Sequence, residues 1–246
     1  ARRRAPRLRA PAMVVVTLFM LTLGGLALWW LARQGLMEKP WLEESTVANV
    51  PATGASLRPT PLIGLGVFLA VAGALFALLV SAYSMRMAMP DWRALPVPLL
   101  LWINTVALVA ASVGLQCAQS AARRGDLADT RTGLLAGGAA SLVFVVGQLL
   151  AWQQLHMLGY FLASNPANSF FYLVTAVHGV HVLGGLVALG RTGARAWRGA
   201  DPDRLRLSVQ LCTLYWHFLL LVWLILLALL TGWADRFAEI CSQLLT

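Results

Sequence analysis

The stretch FFYLVTAVHGVHVLGG, residues 170–185, is almost wholly apolar and carries two histidines three positions apart. Residues at i and i+3 share a helix face, so the spacing sets His178 and His181 side by side on one helix. In a lipid-soluble segment each imidazole needs a partner. That partner can be a metal or haem iron, a moving proton, or a hydrogen-bonding group on a neighbouring helix.

The surrounding chain is built for a membrane. Of its 246 residues, 59% are hydrophobic and only 12% charged, and the mean hydropathy is +0.72. Six apolar runs, at about 12–33, 61–84, 95–121, 132–155, 168–190 and 208–233, each reach the roughly 20 residues that cross about 30 Å of hydrocarbon as a helix. Continuous runs of this kind do not form a closed β-barrel, whose strands alternate. The expected fold is therefore all-α, a polytopic transmembrane helical bundle of about six helices.

Residues 1–33 form a basic N-terminus and a first helix, 34–60 a polar linker, 61–233 a five-helix block, and 234–246 a C-terminal tail. The first run follows Arg2, Arg3, Arg4, Arg7 and Arg9, as a secretory signal does. It is longer than the usual apolar core of a signal, and no small-residue cleavage site clearly follows. A retained span is expected.

The net charge is +9, but the basic residues lie in short clusters beside apolar runs and no nucleic-acid-binding motif is present, so nucleic acid is not an expected partner. The clusters read instead as topology signals. Arg123, Arg124 and Arg131 occupy one connection, and Arg191, Arg195, Arg198, Arg204 and Arg206 another. The connection at 156–167 has neither Lys nor Arg. The excess of basic residues places 123–131 and 191–206 in the cytoplasm. In a six-span count the five N-terminal arginines then fall on the opposite side, against the rule.

Two kinds of chemistry are missing. All ten acidic residues, among them Asp91, Asp126, Asp129, Asp201 and Asp203, lie outside the apolar runs. Proton pumps and ion-coupled transporters bury carboxylates at membrane depth, so the chain does not read as a self-sufficient pump. Cys117, Cys212 and Cys241 are scattered without CxxC or CxxxC spacing, which excludes a two-cysteine copper centre. His181 and His217 fall at similar depths in the last two runs. From spacing alone they could clamp a haem iron or lock helix to helix by hydrogen bonds. Small-xxx-small pairs at Ala70/Ala74, Ala110/Gly114 and Gly133/Gly137 allow close helix approach.

The segment NPANSFFYLVTAVHGVHVLGGLVAL, residues 165–189, resembles the signature helix of subunit III of haem–copper cytochrome oxidases. LYWHFLLLVWLILLALL, residues 214–230, is similar to that family's last helix. The likeness continues upstream in NTVALVAASVGLQCA (104–118) and VGQLLAWQQL (146–155) and covers the five-helix block. It implies a non-catalytic, integral-membrane subunit without haem or copper of its own. Such a subunit packs on oxidase subunit I, near subunit II, with the haems and copper in those partners. It also implies phospholipid bound in a helix cleft, association with other respiratory complexes, and a multi-pass place in the bacterial inner (plasma) membrane.

By this resemblance the lipid-binding candidates are Arg195, His178, His181 and His217, of which Arg195 matches the site of a lipid phosphate. No catalytic or metal-binding residue is expected. There are departures. Val71 and Ala72 stand where many members have a Ser-Glu pair, and LLL (219–221) replaces an acidic residue that often follows Tyr-Trp-His-Phe. The first helix and the linker do not match the first two helices of longer members.

Two other readings remain: an accessory subunit of a nitric oxide reductase, and a haem-binding membrane anchor using His181 and His217. The purified chain should show no Soret absorption. A Soret band in the isolated subunit would establish the anchor reading.

Overall fold

The computed structural model describes residues 60–199 and 201–232, together with positions 22, 25 and 29. Thr22, Gly25 and Trp29 are helical. The rest of the expected first helix, the linker before Thr60 and the tail at 234–246 lie outside the described residues. Five helices follow one another: α1 (Thr60–Met87), α2 (Leu100–Arg124), α3 (Leu127–Met157), α4 (Pro166–Trp197) and α5 (Pro202–Leu230). All five are long and apolar enough to cross a membrane, and no strand occurs among the described residues. The fold is an all-helical transmembrane bundle.

The helix ends differ from the apolar runs in two ways. α2 begins at Leu100, five residues after the start of its run at 95, because Pro96 and Pro98 remove backbone donors and push the residue before each out of the helical region. α1, α3 and α4 run past their apolar segments at both ends, and α5 does so at its start. α4 continues to Trp197 and α5 starts at Pro202, so Arg191, Arg195, Arg204 and Arg206 ride on helical overhangs. A helix of 32 residues is about 48 Å long at 1.5 Å per residue. That exceeds the hydrocarbon thickness and carries the charged ends into the headgroup layer.

Short connections fix the antiparallel order. Gly125 closes α2 with φ 78° and its N–H returns to Ala121 and Ala122 carbonyls. The next residue, Asp126, caps α3 by accepting from the Asp129 N–H at 3.1 Å. At the opposite end Asn165 caps α4 and donates from Nδ2 to the Arg93 carbonyl at 2.5 Å, tying the α3–α4 connection to the α1–α2 connection. Arg86 grips Asp91 with two hydrogen bonds of 2.6 and 2.5 Å. These bonds hold the Asp91 carboxyl below the ordinary carboxylate range. The pair is complete above that range and fades as pH falls through the lowered value.

Helices α2, α3, α4 and α5 form a ring, with α1 laid against α4 and α5 and not touching α2. The tightest contact is between α2 and α3. A Cβ built on Gly133 would lie 2.8 Å from the Ala118 backbone nitrogen and 2.8 Å from the Gly114 carbonyl oxygen, and one on Gly114 would lie 3.1 Å from the Gly137 nitrogen. The glycine pair Gly133/Gly137 therefore packs as its spacing suggests, with Gly114 opposite. Ala70, Ala74 and Ala110 face outward instead.

Lipid offers helices little hydrophobic reason to associate, so packing and hydrogen bonds carry the bundle. The Trp216 indole donates to Ser141 Oγ at 2.8 Å, across the ring from α5 to α3. Its neighbour two turns on, Trp223, donates to Thr105 Oγ1 on α2 at 2.9 Å. Thr213 Oγ1 reaches the Leu115 carbonyl on α2 at 3.1 Å, and Tyr215 donates to the His181 carbonyl on α4 at 2.8 Å. The Trp152 indole on α3 finds Thr175 Oγ1 on α4 at 3.1 Å. Trp216 and Trp223 are fully buried, so each indole N–H depends on its hydroxyl partner.

Gly133→Ala should lower the unfolding midpoint in detergent, at a cost of roughly 1–3 kcal/mol for forced backbone separation. Gly179→Ala, with nothing within 4 Å of the added carbon, should leave it unchanged or raise it. Thr105→Val should cost about 1–3 kcal/mol, the penalty of orphaning the Trp223 N–H. An unaltered midpoint in that variant would show that the bond carries no stability.

Candidate functional site

The signature helix is α4, and its two histidines diverge although they share a face. His178 is completely buried, with its ring 5.6 Å from Phe144, 5.2 Å from Trp223 and 6.1 Å from Phe76. Neither of its ring nitrogens has a hydrogen-bond partner in the protein. A buried, unpaired nitrogen costs stability, so His178 is not explained as a helix-to-helix bond. Being wholly enclosed, it presents no surface at the outside of the bundle. Its surroundings are aromatic rings from α1, α3 and α5.

His181, one turn further, turns toward α1. Its Nδ1–H donates to the Val177 carbonyl at 2.8 Å, and its ring lies 5.2 Å from Phe76 and 6.4 Å from Phe68. Phe76 thus touches both histidines. On the same helix, one turn before Phe76, Ala72 is buried in the place where the resemblance implied a carboxylate. The side chains around the histidine pair are therefore uncharged.

His217 sits on α5 but points to α2. Its Nε2–H donates to Gln116 Oε1 at 3.0 Å, which leaves Nδ1 to accept from the Ser112 hydroxyl. Both nitrogens are used. His181 and His217 therefore face different helices, α1 and α2, and the haem clamp that their similar depth allowed is not assembled. Among the described residues no group of three or more His, Cys, Asp or Glu side chains is placed to hold a metal ion. The hydrogen-bonding partners of His217 were open to sequence reasoning: Ser112, Gln116 and Ser120 repeat at four-residue spacing and mark one polar row on α2.

The arginine-rich end of the bundle gathers Arg123, Arg124, Arg131, Arg191, Arg195, Arg198, Arg204 and Arg206, since the α2–α3 and α4–α5 connections lie together there. Some of this charge is used internally. Arg131 donates to the Ala196 carbonyl at 2.9 and 3.2 Å and stacks over the Trp197 ring at 5.8 Å, locking α3 to the end of α4. Arg195 is exposed and donates from one terminal nitrogen to Ser208 Oγ at 3.0 Å. That bond holds the side chain against α5 and leaves the rest of the guanidinium fork open. His156, near the other end, stacks edge-on with Phe161 at 4.9 Å beside a shallow hollow lined by Trp152 and Tyr172.

A second hollow runs along the outer surface between α1 and α5. It is lined by Gly73, Phe76, Val80, Phe218, Val222 and Ile225, among others, all apolar. Its floor and walls present no polar group.

Residues 76–235 match the family described as cytochrome c oxidase subunit III. The cytochrome c oxidase subunit 3 of Synechocystis is 30% identical over 68% of this chain and 73% of that protein. The protein of the same name from Thermostichus vulcanus is 30% identical over 68% of this chain and 85% of its own. A probable cytochrome c oxidase subunit 3 of Mycobacterium tuberculosis is 36% identical, over 50% of this chain and 60% of that protein. The likeness thus spans the helical block that carries the histidines and the arginine rim. This chain belongs to the cytochrome c oxidase subunit III family and is a subunit III of a haem–copper oxidase.

Proposed function

We propose that the chain is a non-catalytic membrane subunit that packs against the catalytic subunit I of its oxidase, in the company of subunit II, and holds phospholipid at its surface. Oxygen reduction and the electron path lie in those partners, which carry the haems and copper. The observation that supports the non-catalytic role is the disposition of the histidines: His178 is enclosed by aromatic rings, His181 is bonded to its own helix, and His217 spends both nitrogens on Ser112 and Gln116. No carboxylate lies inside a described helix beyond the first-turn Asp129 and Asp203, so the described residues form no row of titratable groups along which protons could move.

Two features support lipid binding. Arg195 presents an exposed guanidinium at the arginine-rich end, where its fork matches phosphate oxygens. The apolar groove between α1 and α5 suits an acyl chain, with His181 and His217 lying at chain depth on either side of α5. The concentration of arginines at one end supports a cytoplasmic position for that end by the positive-inside rule, and the bacterial relatives support the inner membrane of a bacterium as its place.

The reading is tested by replacing Arg195 in the assembled oxidase. Arg195→Ala should raise the fraction of oxidase that loses this subunit on detergent washing and shorten the lifetime of activity during turnover, while first-turnover activity stays near wild type. Arg195→Lys, which keeps the charge and loses the fork, should fall between. Unchanged retention and unchanged lifetime in Arg195→Ala would remove Arg195 from the lipid site.

A further inference from the structure

The outer surface of a membrane helix is normally apolar in its central turns, and here the exposed middle of α3, with Leu142, Val143 and Val146, follows that rule. The seam between α2 and α5 breaks it. Gln116 and His217 are both exposed and sit among the exposed apolar residues Val113 and Leu214. His217 lies about 22 Å along α5 at 1.5 Å per residue, near the middle of that helix. Its two nitrogens are satisfied within the chain by Ser112 and Gln116. Gln116 Nε2 has no hydrogen-bond partner among the described residues, and its side chain is exposed.

We infer that this seam is the docking face for a transmembrane helix of another oxidase subunit, which places a hydrogen-bond acceptor against Gln116 Nε2. The inference rests on the oxidase reading and adds to it the face used. A lipid tail has no acceptor, and lipid ester carbonyls lie at the interface rather than at the depth of His217. Water is scarce there, and exposed polar groups at such depth face protein or a wet cavity. A polypeptide acceptor, a side-chain oxygen or a backbone carbonyl freed by local geometry, meets the requirement. His217 and Ser112 then act to position the amide: the Nε2–H of His217 holds Gln116 Oε1, which turns Gln116 Nε2 toward the partner.

The test uses the oxidase in its native membranes. A photo-reactive benzoylphenylalanine replaces Val113 at the seam or, as a control, Leu142 on the far face of α3. On irradiation the probe at position 113 should join this chain to another oxidase subunit at several-fold higher yield than the probe at 142. Capture of lipid alone, of a second copy of this chain alone, or equal yields at both positions would overturn the proposal. In parallel, Gln116→Leu should lower retention of the subunit in detergent-extracted oxidase by roughly three- to twenty-fold, the span measured for single interhelical hydrogen bonds in membranes. It also removes the acceptor of the His217 Nε2–H, so Thr105→Val, which orphans the Trp223 N–H inside the chain, is the control and should leave retention near wild type. Unchanged retention, or an equal loss of retention in Thr105→Val, would show that Gln116 serves the chain itself and not a partner. If wild-type preparations contain no other oxidase subunit, the oxidase reading fails and takes this proposal with it; the other adverse outcomes sink the proposal alone.

Discussion

The hydrogen bonds from Trp216 to Ser141 and from Trp223 to Thr105 set the terms for the rest of the bundle. Within a bilayer no solvent is available to satisfy an indole N–H, so each must meet an acceptor inside the protein. Placing both donors on α5 makes that helix the hub. One indole crosses the ring to α3 and the other clamps α2, while Tyr215 and Thr213 fasten α5 to α4 and α2. The glycines at the α2–α3 crossing then allow these helices to approach until backbone atoms meet. Polar bonds give the arrangement its specificity, and small residues make the distances possible.

The same constraint explains what the histidines do. An imidazole at membrane depth must be paired, enclosed or exposed at a cost. His217 is paired twice, His181 once to its own helix, and His178 is enclosed by Phe76, Phe144 and Trp223 without a partner. Ala72, where the resemblance implied a carboxylate, leaves the space around the pair uncharged. A pair that looks like a redox or proton site in sequence is thus divided between two environments in the fold. One histidine belongs to the aromatic core and the other to the α1 side.

The five spans were legible because a helix that crosses lipid must be apolar for about 20 residues, and that requirement leaves a continuous mark. Their ends were less so. The arginine-bearing overhangs of α4 and α5 stay helical because backbone bonds close whether or not the side chains are apolar, and composition does not record where they stop. The prolines that delay α2 to Leu100 were visible at 96 and 98, yet the apolar run passes through them. For the site, period alone showed that His178 and His181 share a face. It could not show which helix packs on each, so their separation, and the turning of His217 toward Ser112 and Gln116 rather than toward His181, needed the tertiary fold. The motifs at 165–189 and 214–230 carried the family, since they combine aromatic, histidine and glycine positions that packing alone would not require in that order.

We propose that this chain serves an oxidase whose redox centres lie in its partners. Mild-detergent purification through a tag on this subunit, followed by partner identification by mass spectrometry and by haem and copper analysis before and after the subunit is stripped away, tests it most directly. Subunits I and II should co-purify, haem and copper should stay with them, and the stripped chain should be colourless. A chain that leaves the complex with bound haem, or that purifies with no oxidase subunit at all, would contradict it.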